Sequence, residues 1–109
     1  MLYWITGRRH SGKTTLAKKL AAQIAKGVVL DGDEYRSYFP AGYTDGERQR
    51  NQEGLTAFAH ILEDQGFVPI IACVSPDKLF REALQSEFDE CIEIQLPFGE
   101  LWPGTTYEE

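Results

Sequence analysis

The sequence predicts a three-layer α/β/α domain built on a small, mostly parallel sheet of about four strands. Short apolar runs at residues 2–6, 28–30, 67–74 and 91–96 alternate with segments of helical periodicity. Strands that alternate with helices build a parallel sheet covered on both faces. The run 67–74 is almost continuously apolar, as befits a strand buried on both sides of such a sheet. The 109 residues, 42% hydrophobic and 26% charged, have ordinary globular composition and suffice for one core, not two.

In chain order, Leu2 to Thr6 reads as a strand ending at Gly7. Leu16, Ala17, Leu20, Ala21 and Ile24 recur at helical spacing, which predicts a helix from Lys13 to about Lys26 stopped by Gly27. A second strand at Val28–Leu30 leads into Asp31-Gly32-Asp33, a short helix, and a loop marked by Pro40, Gly42 and Asp45-Gly46. A helix over 47–65 places Leu55, Phe58, Ala59 and Leu62 on one side and ends at Gly66. Ser75 and Asp77 flank Pro76 as candidate caps of a helix over 77–87 with Phe80, Ala83 and Leu84 inward. The fourth strand, 91–96, alternates apolar and polar residues, so one of its faces is expected to be solvated. The tail from Pro97 to Glu109 reads as irregular, and the whole chain as a single domain.

Composition narrows the function. Eleven basic against seventeen acidic residues give a net charge of −6, which argues against a general nucleic-acid partner. No apolar run approaches the ~20 residues that span a bilayer, so no membrane partner is expected. The N-terminus lacks a basic leader segment. Cys73 and Cys91 are too few for a disulfide framework and lack zinc spacing, and a cytoplasmic location fits them. The charge is uneven. The first thirty residues carry six Lys or Arg and no acid, and a local positive field in an acidic protein points to a small anionic ligand. Lys18, Lys19 and Lys26 are accounted for as the solvated face of a helix; Arg8, Arg9 and Lys13 are not.

Gly7-Arg8-Arg9-His10-Ser11-Gly12-Lys13-Thr14 fits G-x-x-x-x-G-K-[ST], followed by Thr15, between a strand and an amphipathic helix. That context identifies a phosphate-binding loop and a P-loop NTPase fold. Gly7 and Gly12 let the backbone curl so that its N–H groups converge on phosphate oxygens. The helix N-terminus adds positive potential. Lys13 then bridges the outer phosphates of ATP, and the Thr14 hydroxyl ligates Mg²⁺. His10 reads as a spacer in this loop.

Asp31-Gly32-Asp33, with Arg36 three residues on, lies at the carboxyl end of the second strand, the edge where open α/β sheets bind ligands. One carboxylate can hold Mg²⁺ through water while the other accepts a proton from an attacking hydroxyl. Asp31 joins Thr14 as the metal candidate, and both carboxylates are catalytic candidates with Lys13. Asp33 also reads as a plain helix cap. Arg36 can clamp an acidic substrate group.

With these residues in view, the sequence resembles the adenylyl-sulfate kinase family from Trp4 to Glu108. Leu30-Asp31-Gly32-Asp33 with Arg36 resembles that family's LDGDxxR, Gly42-Tyr43 its Gly-Phe, and Val74-Ser75-Pro76 its ISP turn. Arg48 and Asn51 fall where the family has substrate-contacting Arg and Asn, and Trp102-Pro103-Gly104 with Tyr107-Glu108 resembles a late F-T-G…Y-E segment. The resemblance implies transfer of the ATP γ-phosphoryl group to the 3′-hydroxyl of adenylyl sulfate. It implies an adenine between Tyr43 and Trp102, a phosphosulfate met by Arg36 and Arg48, and substrate contacts from Asp33, Asn51 and Ser75.

The sequence departs from the family in two places. Gln52-Glu53-Gly54 stands where the family has Ile and two Arg, which removes positive charge and opens the prospect of another small hydroxyl substrate. Residues 97–101 contain no Lys or Arg where the family inserts a basic lid, and the chain stops before the family's last strand and helix. Positive charge and water exclusion drive phosphoryl transfer. Weak catalysis with better-retained nucleotide binding is therefore the expectation. The fourth strand is then a sheet edge, through which the chain can form a homodimer.

Overall fold

A computed structural model describes residues 1–97 and Gly99; the late segment with Trp102 and Tyr107-Glu108, and most of the irregular tail, lies outside the described residues. Four strands, β1 (Leu2–Gly7), β2 (Gly27–Asp31), β3 (Val68–Ala72) and β4 (Cys91–Leu96), form one sheet in the order β2-β3-β1-β4. All three pairings are parallel. The helices are α1 (Lys13–Gln23), α2 (Gly32–Tyr38), α3 (Asp45–Asp64) and α4 (Lys78–Gln85).

The sheet separates two cores, as the two-residue period of a strand requires. Ile5, Ile70 and Ala72 face α1, where Ala17 is buried and Leu16, Leu20 and Ile24 pack behind it. Leu2, Trp4, Ile71 and Cys73 face the other way, against Leu55 and Ala59 of α3, Leu84 of α4 and Phe88. β3 is central and almost wholly buried, as its apolar run requires, although Phe67 stays 38% exposed just before it. β4 is an edge strand: Ile94 and Leu96 pack toward α1, while Ile92 is 43% exposed.

Several boundaries differ from the sequence expectation. α1 ends at Gln23, with Ile24 already extended and Lys26 carrying the positive φ of 62°. Gly27 instead begins β2, where a Cβ would lie 3.1 Å from the Ala21 Cα, so close approach to α1 favours glycine there. Asp45-Gly46 is not a turn but the opening of α3. The Thr44 hydroxyl accepts from the Glu47 N–H at 3.3 Å and donates to Glu47 Oε1 at 2.7 Å, and Glu47 Oε2 accepts from the Gly42 N–H. This is a capping box.

Two inward assignments are also corrected. Phe58 faces outward at 40% exposure, against Tyr35 and Phe39. Ala83 is exposed; the inner stripe of α4 is Arg81 and Leu84. Arg81 is fully buried because its guanidinium donates to Glu93 Oε1 at 2.9 Å and to the Ser75 carbonyl at 2.8 Å.

Candidate functional site

The carboxyl ends of β1, β2 and β3 open onto one cavity of about 270 Å³. The loop after β1 forms one wall, with His10 at φ 60° and Gly12 at φ 96° as the N-cap of α1. Residues from Arg9 to Thr15 line the cavity. Gly7 and Arg8 lie outside its lining and act as supports. A Cβ on Gly7 would sit 2.8 Å from the Leu96 carbonyl oxygen, so the end of β4 packs directly on this glycine. The Arg8 carbonyl accepts from Lys13 Nζ at 2.7 Å, which holds the ammonium inside the loop. Burial lowers the Lys13 pKa, against the opposing pull of Cys73, Asp33 and Asp31. The Ser11 hydroxyl is buried with no hydrogen-bond partner among the described residues.

The second wall is the turn from β2 into α2. Asp31, not Asp33, caps this helix: its Oδ1 accepts from the N–H groups of Asp33 (2.9 Å) and Glu34 (3.2 Å). Its Oδ2 accepts from the Thr14 hydroxyl. The two carboxylates are thus differentiated. Asp31 is held by three donors, whereas the Asp33 side chain is 91% exposed and stands 3.9 Å from Arg36. Gly32 between them is fixed by packing, since a Cβ there would meet the Cys73 Cβ at 3.0 Å.

The third wall comes from α2, α3 and the loop between them. The Arg36 guanidinium lies 4.4 Å from the Tyr43 ring centroid, a cation–π arrangement. Arg48 sits in the first turn of α3. It is largely buried, paired to Asp45 at 2.6 Å, and lines the cavity. Asn51 lines the cavity as well. Ser75 lines it too, but its hydroxyl is engaged inward: it accepts from Trp4 Nε1 at 3.2 Å and lies 2.7 Å from the Cys73 thiol. Burial pushes that thiol up to about 11, so it is a packed, protonated floor and not a nucleophile.

Every sequence-predicted substrate residue within the described region therefore borders one cavity: Asp33, Arg36, Tyr43, Arg48, Asn51 and Ser75. Trp102 lies outside the described residues. Sequence reasoning missed Gln52 as a pocket residue. It is 5% exposed, lines the cavity, and its Oε1 has no partner among the described residues. Its signal was the Gln52-Glu53-Gly54 run, which registers in sequence only as missing charge.

The donor set fits a hard divalent cation. Thr14 and Asp31 offer oxygen ligands side by side at the phosphate loop, the arrangement that suits Mg²⁺ completed by phosphate oxygens and water. Among the described residues there is no cluster of three His, Cys, Asp or Glu that holds a metal by itself. No helix among them is long and apolar enough to cross a membrane.

Comparison with known proteins agrees with this geometry. The sequence profile of the Adenylylsulphate kinase family matches residues 1–108. A probable adenylyl-sulfate kinase of Archaeoglobus fulgidus is 34% identical over 84% of this chain and 63% of its own length. One from Aeropyrum pernix is 34% identical over 100% of this chain and 61% of its own. The chain thus spans less than two thirds of the length of these curated relatives. The structure of the Mycobacterium tuberculosis APS kinase CysC in complex with AMPPNP and APS superposes with a TM-score of 0.73 at 26% identity, covering 87% of this chain and 61% of that one.

Proposed function

The chain belongs to the adenylylsulphate kinase family, and on that premise we propose that it binds Mg·ATP and transfers the γ-phosphoryl group to the 3′-hydroxyl of adenylyl sulfate. One observation carries the reading: a single cavity gathers the phosphate loop, both Asp31 and Asp33, and the Arg36, Tyr43, Arg48 and Asn51 side chains. A related Mycobacterium tuberculosis enzyme binds AMPPNP and APS in the same fold, which supports both a nucleotide donor and a nucleotide acceptor.

In this mechanism the loop N–H groups and the α1 N-terminus hold the β- and γ-phosphates. Lys13 leaves the Arg8 carbonyl for the phosphate oxygens and offsets charge on the transferring group. Thr14 and Asp31 are the residues that would hold Mg²⁺, which would neutralise phosphate charge when bound with ATP. Arg36 and Arg48 fix the acceptor anion, and Tyr43 stacks on its base, a contact worth ~1–3 kcal/mol. Asp33 is the better placed of the two carboxylates to accept the hydroxyl proton, since both Asp31 oxygens are already engaged. The acceptor oxygen forms the new P–O bond as the bond to the β,γ-bridging oxygen breaks. ADP leaves, and the proton rests on Asp33.

The test is ADP release coupled to a chromogenic reaction, with ATP, Mg²⁺ and adenylyl sulfate, against a Lys13→Ala control. Acceptor-dependent turnover supports the proposal. Turnover confined to another hydroxyl compound in a panel of nucleosides and sugar acids redirects it to that acceptor. ATP binding with no transfer identifies a nucleotide-binding module, the reading favoured by the absence of Lys and Arg from residues 97–101. The free thiols of Cys73 and Cys91 fit a reducing cytoplasm. The β4 edge is the surface on which we place self-association, to be read by sedimentation.

A further inference from the structure

We propose that Gln52 is a specificity-determining residue of the acceptor pocket, its side-chain carbonyl accepting a hydrogen bond from a neutral donor group of the acceptor. The inference rests on the kinase reading above. Gln52 is 5% exposed and its neighbour Asn51 6%, and both border the cavity. Neither the Gln52 Oε1 nor the Asn51 Oδ1 has a hydrogen-bond partner among the described residues. A buried acceptor left unmade is costly, and native proteins rarely keep one without a use. The Thr56 hydroxyl bonds the Gln52 main-chain carbonyl at 2.8 Å, a contact that any residue at this position would make and that does not call for a carboxamide.

Position defines what the carboxamide reads. Along the inner face of α3 the side chains run from Arg48, a cation, through Asn51 and Gln52, two neutral amides, to Leu55 and Ala59, which are core. Gln52 is one helical turn, about 6 Å, deeper than Arg48. An acceptor whose anion meets Arg48 therefore presents an uncharged part to Gln52. Unpaired carbonyl oxygens on two successive residues that border the cavity favour an N–H or O–H there and penalise an acceptor atom or a second anion. In a nucleotide acceptor such donors are a ribose hydroxyl and an exocyclic amine.

The experiment compares the full chain with Gln52→Met, which keeps the shape and removes the acceptor. Both are measured with adenylyl sulfate, its 2′-deoxy analogue and its 6-oxo analogue. The wild type is expected to prefer adenylyl sulfate over one analogue by about tenfold in kcat/KM. Which analogue suffers identifies the donor as hydroxyl or amine. Gln52→Met erases that preference, leaves KM for ATP unchanged and raises the melting temperature, since a buried unpaired oxygen is gone. The proposal is overturned by no preference in the wild type, by the same preference in Gln52→Met, or by a lowered melting temperature with equal loss on all three nucleotides. Failure of the kinase reading is separable, because it shows as absent turnover in the wild type. Gln52 is then judged by the melting-temperature shifts the three nucleotides induce in wild type and variant, where identical or absent shifts overturn it.

Discussion

The Thr14 hydroxyl donates to Asp31 Oδ2, which ties the first turn of α1 to the end of β2 across the mouth of the cavity. Asp31 uses its other oxygen to cap α2, so one carboxylate both builds the site and faces it. Asparagine caps a helix about as well as aspartate, so Asp31→Asn separates the two roles. We expect Asp31→Asn to fold with little loss of stability, while the gain in ATP affinity on adding Mg²⁺ shrinks about tenfold. Thr14→Val shows the same loss and Thr14→Ser restores it. Calorimetric ATP titrations with Mg²⁺ and with EDTA measure the effect. An undiminished Mg²⁺ gain in Asp31→Asn counts against the assignment.

Lys13 supplies a pH prediction. Burial lowers its pKa from the ordinary 10.5, and only the ammonium form binds phosphate. ATP affinity therefore holds at neutral pH and declines as pH rises through the lowered value, sooner than an exposed lysine would allow. Lys13→Met weakens ATP by about 10- to 100-fold, the worth of hydrogen bonds to a charged group. Fluorescent-nucleotide titrations across the alkaline range test both statements, and a flat profile up to the ordinary lysine value contradicts the first.

How much of this was legible in sequence depended on how local the cause was. The phosphate loop and the strand–helix alternation were readable because glycine spacing and two-residue or 3.6-residue periods are set by neighbours in the chain. The choice between Asp31 and Asp33 was not, because they flank Gly32 at the start of α2 and only the three-dimensional path shows which oxygen meets the N–H groups. Arg81 hides its burial in the same way. A charged residue in a short helix reads as outward until Glu93 and the Ser75 carbonyl are brought beside it. Gly54 registers only as missing charge, yet a Cβ there would overlap the Tyr35 hydroxyl. That demand arises from α2 folding over α3. Gln52 was invisible as a pocket residue because an unpaired amide is defined by the partners that tertiary structure withholds.

The Arg81–Glu93 pair is unequal, and the inequality is testable. Arg81 is fully buried, whereas the Glu93 side chain keeps 27% of its surface exposed. Although partial burial raises the Glu93 pKa, hydrogen bonds from Gln85, Gln95 and Arg81 outweigh it and lower the net value. Removing Arg81 leaves a glutamate that still has Gln85, Gln95 and water. Removing Glu93 leaves a buried guanidinium without its carboxylate. Breaking a buried pair costs about 3–5 kcal/mol when a charge is stranded, so Glu93→Leu falls in that range and Arg81→Met well below it. Urea unfolding of the two variants decides. Equal costs, or the reverse order, show that the charge on Arg81 is not what the pair stabilises. Because Arg81 also holds the Ser75 carbonyl, Arg81→Met further shifts the Ser75 turn and raises KM for the acceptor more than for ATP.

The opening of α3 is held by a side-chain pair whose contribution depends on pH. Thr44 and Glu47 satisfy three groups at once: the Glu47 N–H, the Gly42 N–H and the Thr44 hydroxyl. Thr44→Ala is expected to cost about 1 kcal/mol, the usual loss for a helix cap. The Thr44 hydroxyl first, and the Gly42 N–H second, lower the Glu47 pKa from its ordinary 4.5. A carboxyl lowered in the folded state contributes stability that is complete above its unfolded value and disappears as pH falls through the folded one. Stability attributable to Glu47 is therefore constant at neutral pH and lost in acid below the ordinary glutamate range. Glu47→Gln removes this component and flattens the acid limb of the stability curve. Unfolding midpoints of wild type, Thr44→Ala and Glu47→Gln, measured from neutral pH into acid, test the coupling. The wild-type and Glu47→Gln curves converge at low pH if the carboxylate is the cause, whereas Thr44→Ala stays below both by the lost bond from the Glu47 N–H. Parallel curves at every pH show that the carboxylate contributes nothing of its own. The box also matters for the site, because it sets the start of the helix that delivers Arg48 and Asn51 to the cavity. Thr44→Ala should therefore weaken acceptor binding more than ATP binding.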